Sequence, residues 1–288
     1  MKLAIFDSQR LGVVVEDREI VDVTDAVPGY DADPLTAGWW RALAREWREL
    51  RPAIEQAALT GQRVPVADVR LHAPVLNPSK VIAVASNYAE HVAEMHGVQE
   101  RTLGGVESWM MEFDIFLKST SSITGPAGPV ILPAAVLADN REIHHESELV
   151  IVIGTGGKDI PESEALQHVF GYTIGLDITV RSPADRSRRK SYDTFSPMGP
   201  WMLVADEGVD PDAFGITLTV DGETRQNVNT RDMITPVAQI ISYASSVMTL
   251  VPGDVIFTGA PPGVGPIQAG ETLVTTITGI GTMTTEVR

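Results

Sequence analysis

Apolar and polar positions alternate with period two near the start of this chain and then switch to a helical period. "LAIFD" and "LGVVVED" are short apolar runs divided by a polar turn, which predicts a hairpin, with "EIVDVTD" as a third strand. Over 35–59 the apolar residues Trp39, Trp40, Leu43, Trp47 and Leu50 recur at helical spacing, and Pro52 is expected to kink or split that helix. The tryptophans read as packing residues rather than a binding platform. Residues 61–80 are Pro-rich with short alternating runs and read as a linker that returns to a sheet. This sets a small N-terminal domain at 1–75 and a second domain at 76–288.

In the second domain "KVIAVA" is a buried strand, and "NYAEHVAEMHG" (87–97) is a short helix with Asn87 as N-cap, Glu90 three residues on and Gly97 as its stop. Residues 98–113 read as a loop. "IFLKST", "GPVILP" and 146–153 are strands, and "SEALQHVFGYTIGLDITVR" passes from helix into a strand that ends near Asp177. "SPADRSRRKSYDTFSPMGPW" is a polar, basic loop. Asp221-Gly222 stands between two alternating runs, which signals a hairpin. "ITPVAQIISYASSVMTL" is an amphipathic helix, "GDVIFTGAPPGVGP" a strand entering a turn-rich loop, and the tail a β-ribbon. There is no internal repeat.

One stretch raises a chemical question. In "REIHHESELVIVIG" two glutamates, Glu146 and Glu148, stand at the mouth of a buried strand. Residues at i and i+2 of a strand share a face, about 7 Å apart, and His144 would share it too. Like charges at the edge of a core are costly unless something positive lies between them. Two readings are open: a pair that binds a hard divalent cation, or a solvated strand end paired with a neighbouring arginine. Asp177, ending an apolar strand, is a candidate third carboxylate.

Composition narrows the partners. The 288 residues carry a net charge of −16, which argues against nucleic acid or an anionic membrane. There are no cysteines, so disulfides, thiolate metal sites and cysteine nucleophiles are excluded. The N-terminus lacks the apolar core of a signal peptide, and no apolar run is long enough to span a membrane. The expectation is a cytoplasmic protein.

The order of segments adds a resemblance. "NYAEHVAEMHG", "FLKSTSSITGP", "HESELVIVIG", "GYTIGLDITVR", "KSYDTFSPMGPW" and "LVPGDVIFTGAPPGVGP" occur in sequence over about 80–288. This series resembles the fumarylacetoacetate hydrolase family. The resemblance implies a β-rich mixed α/β fold, a mixed β-sandwich roll with flanking helices, preceded by a small N-terminal α/β domain. It implies that Glu146, Glu148 and Asp177 hold Mg²⁺ or Mn²⁺, with Ca²⁺ as a further candidate. The family's substrates carry a 2-oxo acid end that chelates the ion, which as a Lewis acid stabilises the enolate formed when the adjacent C–C bond breaks.

By the same resemblance Lys190 contacts the bound oxo acid, Arg181 belongs to the site, and Thr258 and Gly259 form a substrate-facing turn. Without the motif, Lys190 with Arg186, Arg188 and Arg189 would be an ordinary basic surface loop. His91 and Glu94 stand at i and i+3 on one helix face, and in related acylpyruvate hydrolases such a pair activates water; alone it would read as a surface contact. His144 and His145 read as supporting or structural, and Lys118 has no assigned step. Ala184 stands where many members carry a glutamine, and the loop before Lys190 is shorter than usual, so recognition beyond the oxo-acid end is not fixed by the resemblance.

The expectation is a divalent-metal-dependent hydrolase that cleaves a C–C bond in a 2,4-dioxo acid and acts as a homodimer on a small molecule. The alternatives are decarboxylation of an oxaloacetate-type acid, isomerisation of a 2-oxo-ene-dioate, or a non-catalytic oxo-acid binding protein.

Overall fold

A computed structural model of the chain describes residues 1–33, 35–106, 111–206 and 208–288. The strand Ser147–Ile153 is buried along its whole length, and its surroundings explain its unbroken apolar run. Leu149, Ile151 and Ile153 enter one core cluster, while Val150 and Val152 enter another. A strand covered on both faces has no solvent side to keep polar, so alternation disappears.

Among the described residues the sheet around it has eleven strands. Its central order is Lys2–Phe6, Ser196–Val204, Val169–Leu176, Ser147–Ile153, Val255–Phe257, Val81–Ala85 and Asp114–Lys118. The N-terminal meander, Lys2–Phe6 with Arg10–Val15 and Glu19–Asp22, joins this sheet where Leu3 pairs with Met202. Trp39, Trp40, Leu43 and Trp47 pack on one face with Phe170 and Val150. The Trp40 and Trp47 rings lie 5.7 and 5.5 Å from that of Phe170, which fits their reading as packing residues.

The other face is covered by a second, four-stranded antiparallel sheet and by the helix Val237–Val247. Ile216, Leu218, Leu273, Ile277, Ile240 and Ile241 fill that interface. The hairpin of the second sheet turns at Asp221 and Gly222, with φ of 48° and 84°, the positive values a two-residue turn requires. The arrangement is the β-rich, mixed α/β fold expected, with two packed sheets and flanking helices. No helix among the described residues is long and apolar enough to cross a membrane.

Several local expectations are corrected. The 35–59 helix is two helices, Gly38–Arg45 and Trp47–Thr60, and it breaks at Glu46 rather than Pro52. Pro52 lies in the second turn of the second helix, where it removes only the hydrogen bond to the Arg48 carbonyl. Residues 128–133 contribute an isolated bridge, Val130 with Val287, and no strand. The helix before the Val169–Leu176 strand is a 3₁₀ helix, Glu162–His168. The basic loop holds a short helix, Arg186–Arg189, and gives way to a buried strand at Ser196.

The most consequential correction concerns the helix that carries His91. It spans Ala89–Leu103, passing Gly97, and ends at Gly104 in a left-handed conformation with φ 76°. A mid-helix glycine costs only about 1 kcal/mol, and the helix runs on for nearly two further turns, with Gln99 buried among them. Asn87 does not cap the helix. It is fully buried, and its Nδ2 donates to the carbonyls of Thr258 at 2.8 Å and Thr235 at 3.0 Å, while its Oδ1 accepts the Thr235 amide at 2.7 Å. The loop reading of 98–113 therefore fails over 98–103, and 107–110 lie outside the described residues.

Candidate metal centre and active site

Antiparallel pairing of Ser147–Ile153 with Val169–Leu176 sets Glu148 opposite Gly175 and Ser147 opposite Leu176. The Asp177 amide then donates to the Glu146 carbonyl at 2.8 Å. The entrance of one strand thus meets the exit of the next, and three carboxylates converge. Glu146, Glu148 and Asp177 each offer an oxygen within 4.8 Å of the others, and all three side chains are buried.

Cations surround this group unevenly. Lys190 Nζ donates to Glu146 Oε2 at 2.7 Å, to Asp177 Oδ2 at 2.5 Å and to Thr179 Oγ1 at 2.7 Å. Arg181 Nη2 donates to Glu146 Oε1 at 2.6 Å, and Lys118 Nζ to Asp177 Oδ1 at 2.6 Å. Glu148 instead accepts the backbone amide of Gly259 at 2.7 Å. Burial, and then the neighbouring charges of Asp177 and Glu146, push the Glu148 carboxyl well above the usual carboxylate range. Burial works in the same direction on Glu146, but Lys190 and Arg181 outweigh it and hold that carboxyl well below. Burial also pushes the Lys118 ammonium down, against the pull of Asp177. Three buried hard-oxygen donors, one of them destabilised by its two neighbours, form a donor set that fits a divalent cation such as Mg²⁺, Mn²⁺ or Ca²⁺.

Glu146, Arg181 and Lys190 open on a cleft that His91, Met95 and Gln99 line from the helix Ala89–Leu103. With its open mouth included, the cleft measures about 450 Å³. His91 is buried, and its Nδ1 lies 3.3 Å from Glu94 Oε2. Glu94 also accepts the Gly263 amide, at 3.1 Å from Oε2. Burial raises the Glu94 carboxyl, but the His91 contact and these amides bring it below its ordinary range, so it stands ready as a charged acceptor.

The two loop glycines are conformational requirements. Gly259 has φ +100°, and a Cβ there would meet Asn87 Cβ at 2.8 Å; Gly263 has φ +91°, and a Cβ there would meet the Arg225 carbonyl at 1.9 Å. Each is thereby free to bring its amide against a site carboxylate. We expect Gly259→Ala to cost about 1–2 kcal/mol of stability and to weaken divalent-ion binding, read by thermal unfolding with and without Mn²⁺. Equal shifts in both conditions would show that the turn does not serve the carboxylates.

The family model for the fumarylacetoacetate hydrolase C-terminal domain matches residues 80–288. The chain belongs to the fumarylacetoacetate hydrolase family. It is 40% identical to a maleylpyruvate hydrolase of Aquipseudomonas alcaligenes, over 100% of this chain and 99% of that protein. The crystal structure of maleylpyruvate hydrolase from Sphingobium sp. SYK-6 in complex with manganese(II) ion and pyruvate is similar throughout, with a TM-score of 0.86, 40% identity and coverage of 100% and 98%. A 2-hydroxyhepta-2,4-diene-1,7-dioate isomerase structure from Mycobacterium marinum gives a TM-score of 0.73 at 32% identity, with coverage of 100% and 98%.

Within this fumarylacetoacetate hydrolase fold the remaining candidates divide. Thr258 does not face the cleft: its hydroxyl donates to the Leu149 carbonyl at 3.0 Å. His144 Nε2 donates to Glu142 at 2.8 Å, and burial, then Arg181, push its imidazole down to about 4. His145 lies 3.4 Å from Gln226 Oε1, and burial likewise pushes it down to about 4. Neither histidine joins the carboxylate group among the described residues.

Sequence reasoning missed two supports. Lys118, unassigned, turns out to be a fully buried partner of Asp177. Gln226 accepts the Ser147 amide at 3.0 Å and donates to the Pro261 carbonyl at 2.9 Å, tying the root of the Glu146–Glu148 strand to the glycine-rich turn. A lysine inside the apolar run "DIFLK" was the one available signal; Gln226 offered none.

Proposed function

We propose that this chain is a divalent-metal-dependent hydrolase that cleaves the C–C bond of a 2,4-dioxo acid of the acylpyruvate type, releasing pyruvate and a carboxylic acid. One observation carries the reading: Glu146 of the carboxylate triad and His91 of the His91–Glu94 pair line a single cleft. A triad alone would serve binding; a base beside it serves chemistry. The likeness to maleylpyruvate hydrolases supports the same reading, and the start of the family match at residue 80 supports a catalytic unit at 76–288 with 1–75 as an accessory domain.

In this account Glu146, Glu148 and Asp177 hold Mg²⁺ or Mn²⁺. When bound, the ion supplies Lewis acidity toward the oxygens of the oxo-acid end. Lys190 and Arg181 keep Glu146 ionised, and Lys190 places its ammonium where it can also meet the oxo-acid carboxylate. Glu94 accepts the Nδ1–H of His91, which fixes the tautomer and leaves Nε2 as the base. His91 takes a proton from water as that water adds to the distal carbonyl. The adjacent C–C bond then breaks, and the proton returns to the departing pyruvoyl carbon. Residues that exclude bulk solvent, such as Met95 and Phe116, raise the strength of every charge in the cleft.

The likeness to a dienedioate isomerase favours one competing reaction class. A product assay separates them: acetylpyruvate, fumarylpyruvate, oxaloacetate and a 2-oxo-ene-dioate are incubated with the Mn²⁺-loaded protein. The account predicts pyruvate and one acid in equal amounts from a dioxo acid. Carbon dioxide from oxaloacetate alone, or isomerisation without cleavage, would replace it.

A further inference from the structure

The strand Glu223–Asn229 lies at the edge of the four-stranded sheet, and Gln226 is its single buried side chain, at 0% exposure. Gln226 pairs directly with Leu218 of the next strand. Directly paired residues share a face, so Gln226 points with Leu218 into the space between the two sheets. Inner-face positions of packed sheets are ordinarily apolar. A carboxamide there is costly unless its polar atoms are met.

They are met, by parts of the site that lie far apart in the chain. Oε1 accepts the Ser147 amide at 3.0 Å and stands 3.4 Å from His145 Nδ1, while Nε2 donates to the Pro261 carbonyl at 2.9 Å. The Ser147 amide can only donate, which fixes the end of the carboxamide that faces it. Ser147 lies between Glu146 and Glu148. Pro261 lies between Gly259, whose amide holds Glu148, and Gly263, whose amide holds Glu94 beside His91. The turn also rests on the same strand: the Arg225 carbonyl, next to Gln226, leaves no room for a Cβ at Gly263. Gln226 is not one of the residues that line the cleft, so it acts through its neighbours.

We infer that Gln226 is a positioning residue that locks the glycine-rich turn to the root of the ligand strand, and so sets the His91–Glu94 pair at a fixed place relative to the ion site. This rests on the proposed function for the role of His91. A misplacement of about 1 Å between reacting groups can cost about 10²-fold in rate, so a link between the two halves of the site bears on turnover and not only on stability.

The test compares Gln226→Met with Leu218→Ala. Leu218 is buried on the same face but makes no contact with the turn or the ligand strand's polar groups, so its truncation weakens the sheet interface alone. Leu218→Ala should lower the unfolding temperature at least as much as Gln226→Met does, with Mn²⁺ affinity and kcat both within about 3-fold of wild type. Gln226→Met should lower Mn²⁺ affinity, read by calorimetry, by about 10-fold. At saturating Mn²⁺ its kcat on fumarylpyruvate should still be down about 10–100-fold, with KM within about 3-fold. Should Gln226→Met not fold, Gln226→Glu keeps the shape and the acceptor for Ser147 but turns a second oxygen to the Pro261 carbonyl, and it must lower kcat by at least about 10-fold.

Losses in Gln226→Met that match those of Leu218→Ala would overturn the inference and make Gln226 structural. So would a kcat fully restored at saturating Mn²⁺, because the base would then be placed without it. If the wild type cleaves no dioxo acid, the proposed reaction falls, and Mn²⁺ affinity alone decides: a loss confined to Gln226→Met keeps its hold on the carboxylates, and equal affinities end it.

Discussion

Glu148→Gln is expected to lower Mn²⁺ affinity by at least about 100-fold, and turnover with it. The substitution is nearly isosteric, and the new carboxamide oxygen can still accept the Gly259 amide that Glu148 holds at 2.7 Å. What is lost is one negative charge from a set of three. Without an ion that charge is a burden, because burial and the charges of Asp177 and Glu146 already oppose it. The unfolding temperature of the ion-free variant should therefore be unchanged or raised, which separates loss of the ion from loss of the fold. A variant that binds Mn²⁺ as the wild type does would remove Glu148 from the ion site. A variant that simply unfolds would show that the carboxylate is structural.

His91→Ala is expected to lower kcat by about 10²–10⁴ while Mn²⁺ affinity stays within about 3-fold. The reason is geometric. His91 lines the same cleft as Glu146, but it is not part of the carboxylate group. Glu94→Gln should cost less, because the imidazole remains and only its orientation and basicity suffer. Equal, modest losses in both variants would mean that the pair packs the helix rather than activating water. Full turnover by His91→Ala on a dioxo acid would end the hydrolytic mechanism, though a decarboxylase reading would survive it.

Much of this site was legible before any coordinates, because its logic is local. Glu146 and Glu148 share a face by the period of a strand, and Asp177 ends an apolar strand where a charge needs a reason. His91 and Glu94 are one helical turn apart, and so meet. The tryptophans at 39, 40 and 47 were readable as packing residues from their spacing alone.

What escaped depends on contacts between distant segments. Lys118 meets Asp177 across 59 positions, and Asn87 meets Thr258 across 171. Asn87 has the chemistry of a cap, but burial gave it stronger tertiary partners. Gly97 has the chemistry of a stop, but the helix continues because its far end, too, has a contact: Arg101 in the last turn pairs with Glu142. Thr258 was taken for a substrate-facing group, whereas its hydroxyl completes the backbone of the neighbouring strand. Arg189 sits in a run that reads as a solvated basic loop. Only the packing of the short helix against the cleft buries it, and no local pattern encodes that.

The central claim is that the cleavage depends on a divalent ion held by Glu146, Glu148 and Asp177. The direct measurement is a calorimetric titration of Mn²⁺ into chelator-stripped protein, with pyruvate release from fumarylpyruvate followed at each step. The account predicts one ion per chain and a rate that rises in proportion to occupancy, with neither seen in Glu148→Gln. Pyruvate release at zero occupancy, or saturating Mn²⁺ binding that leaves the rate unchanged, would contradict it.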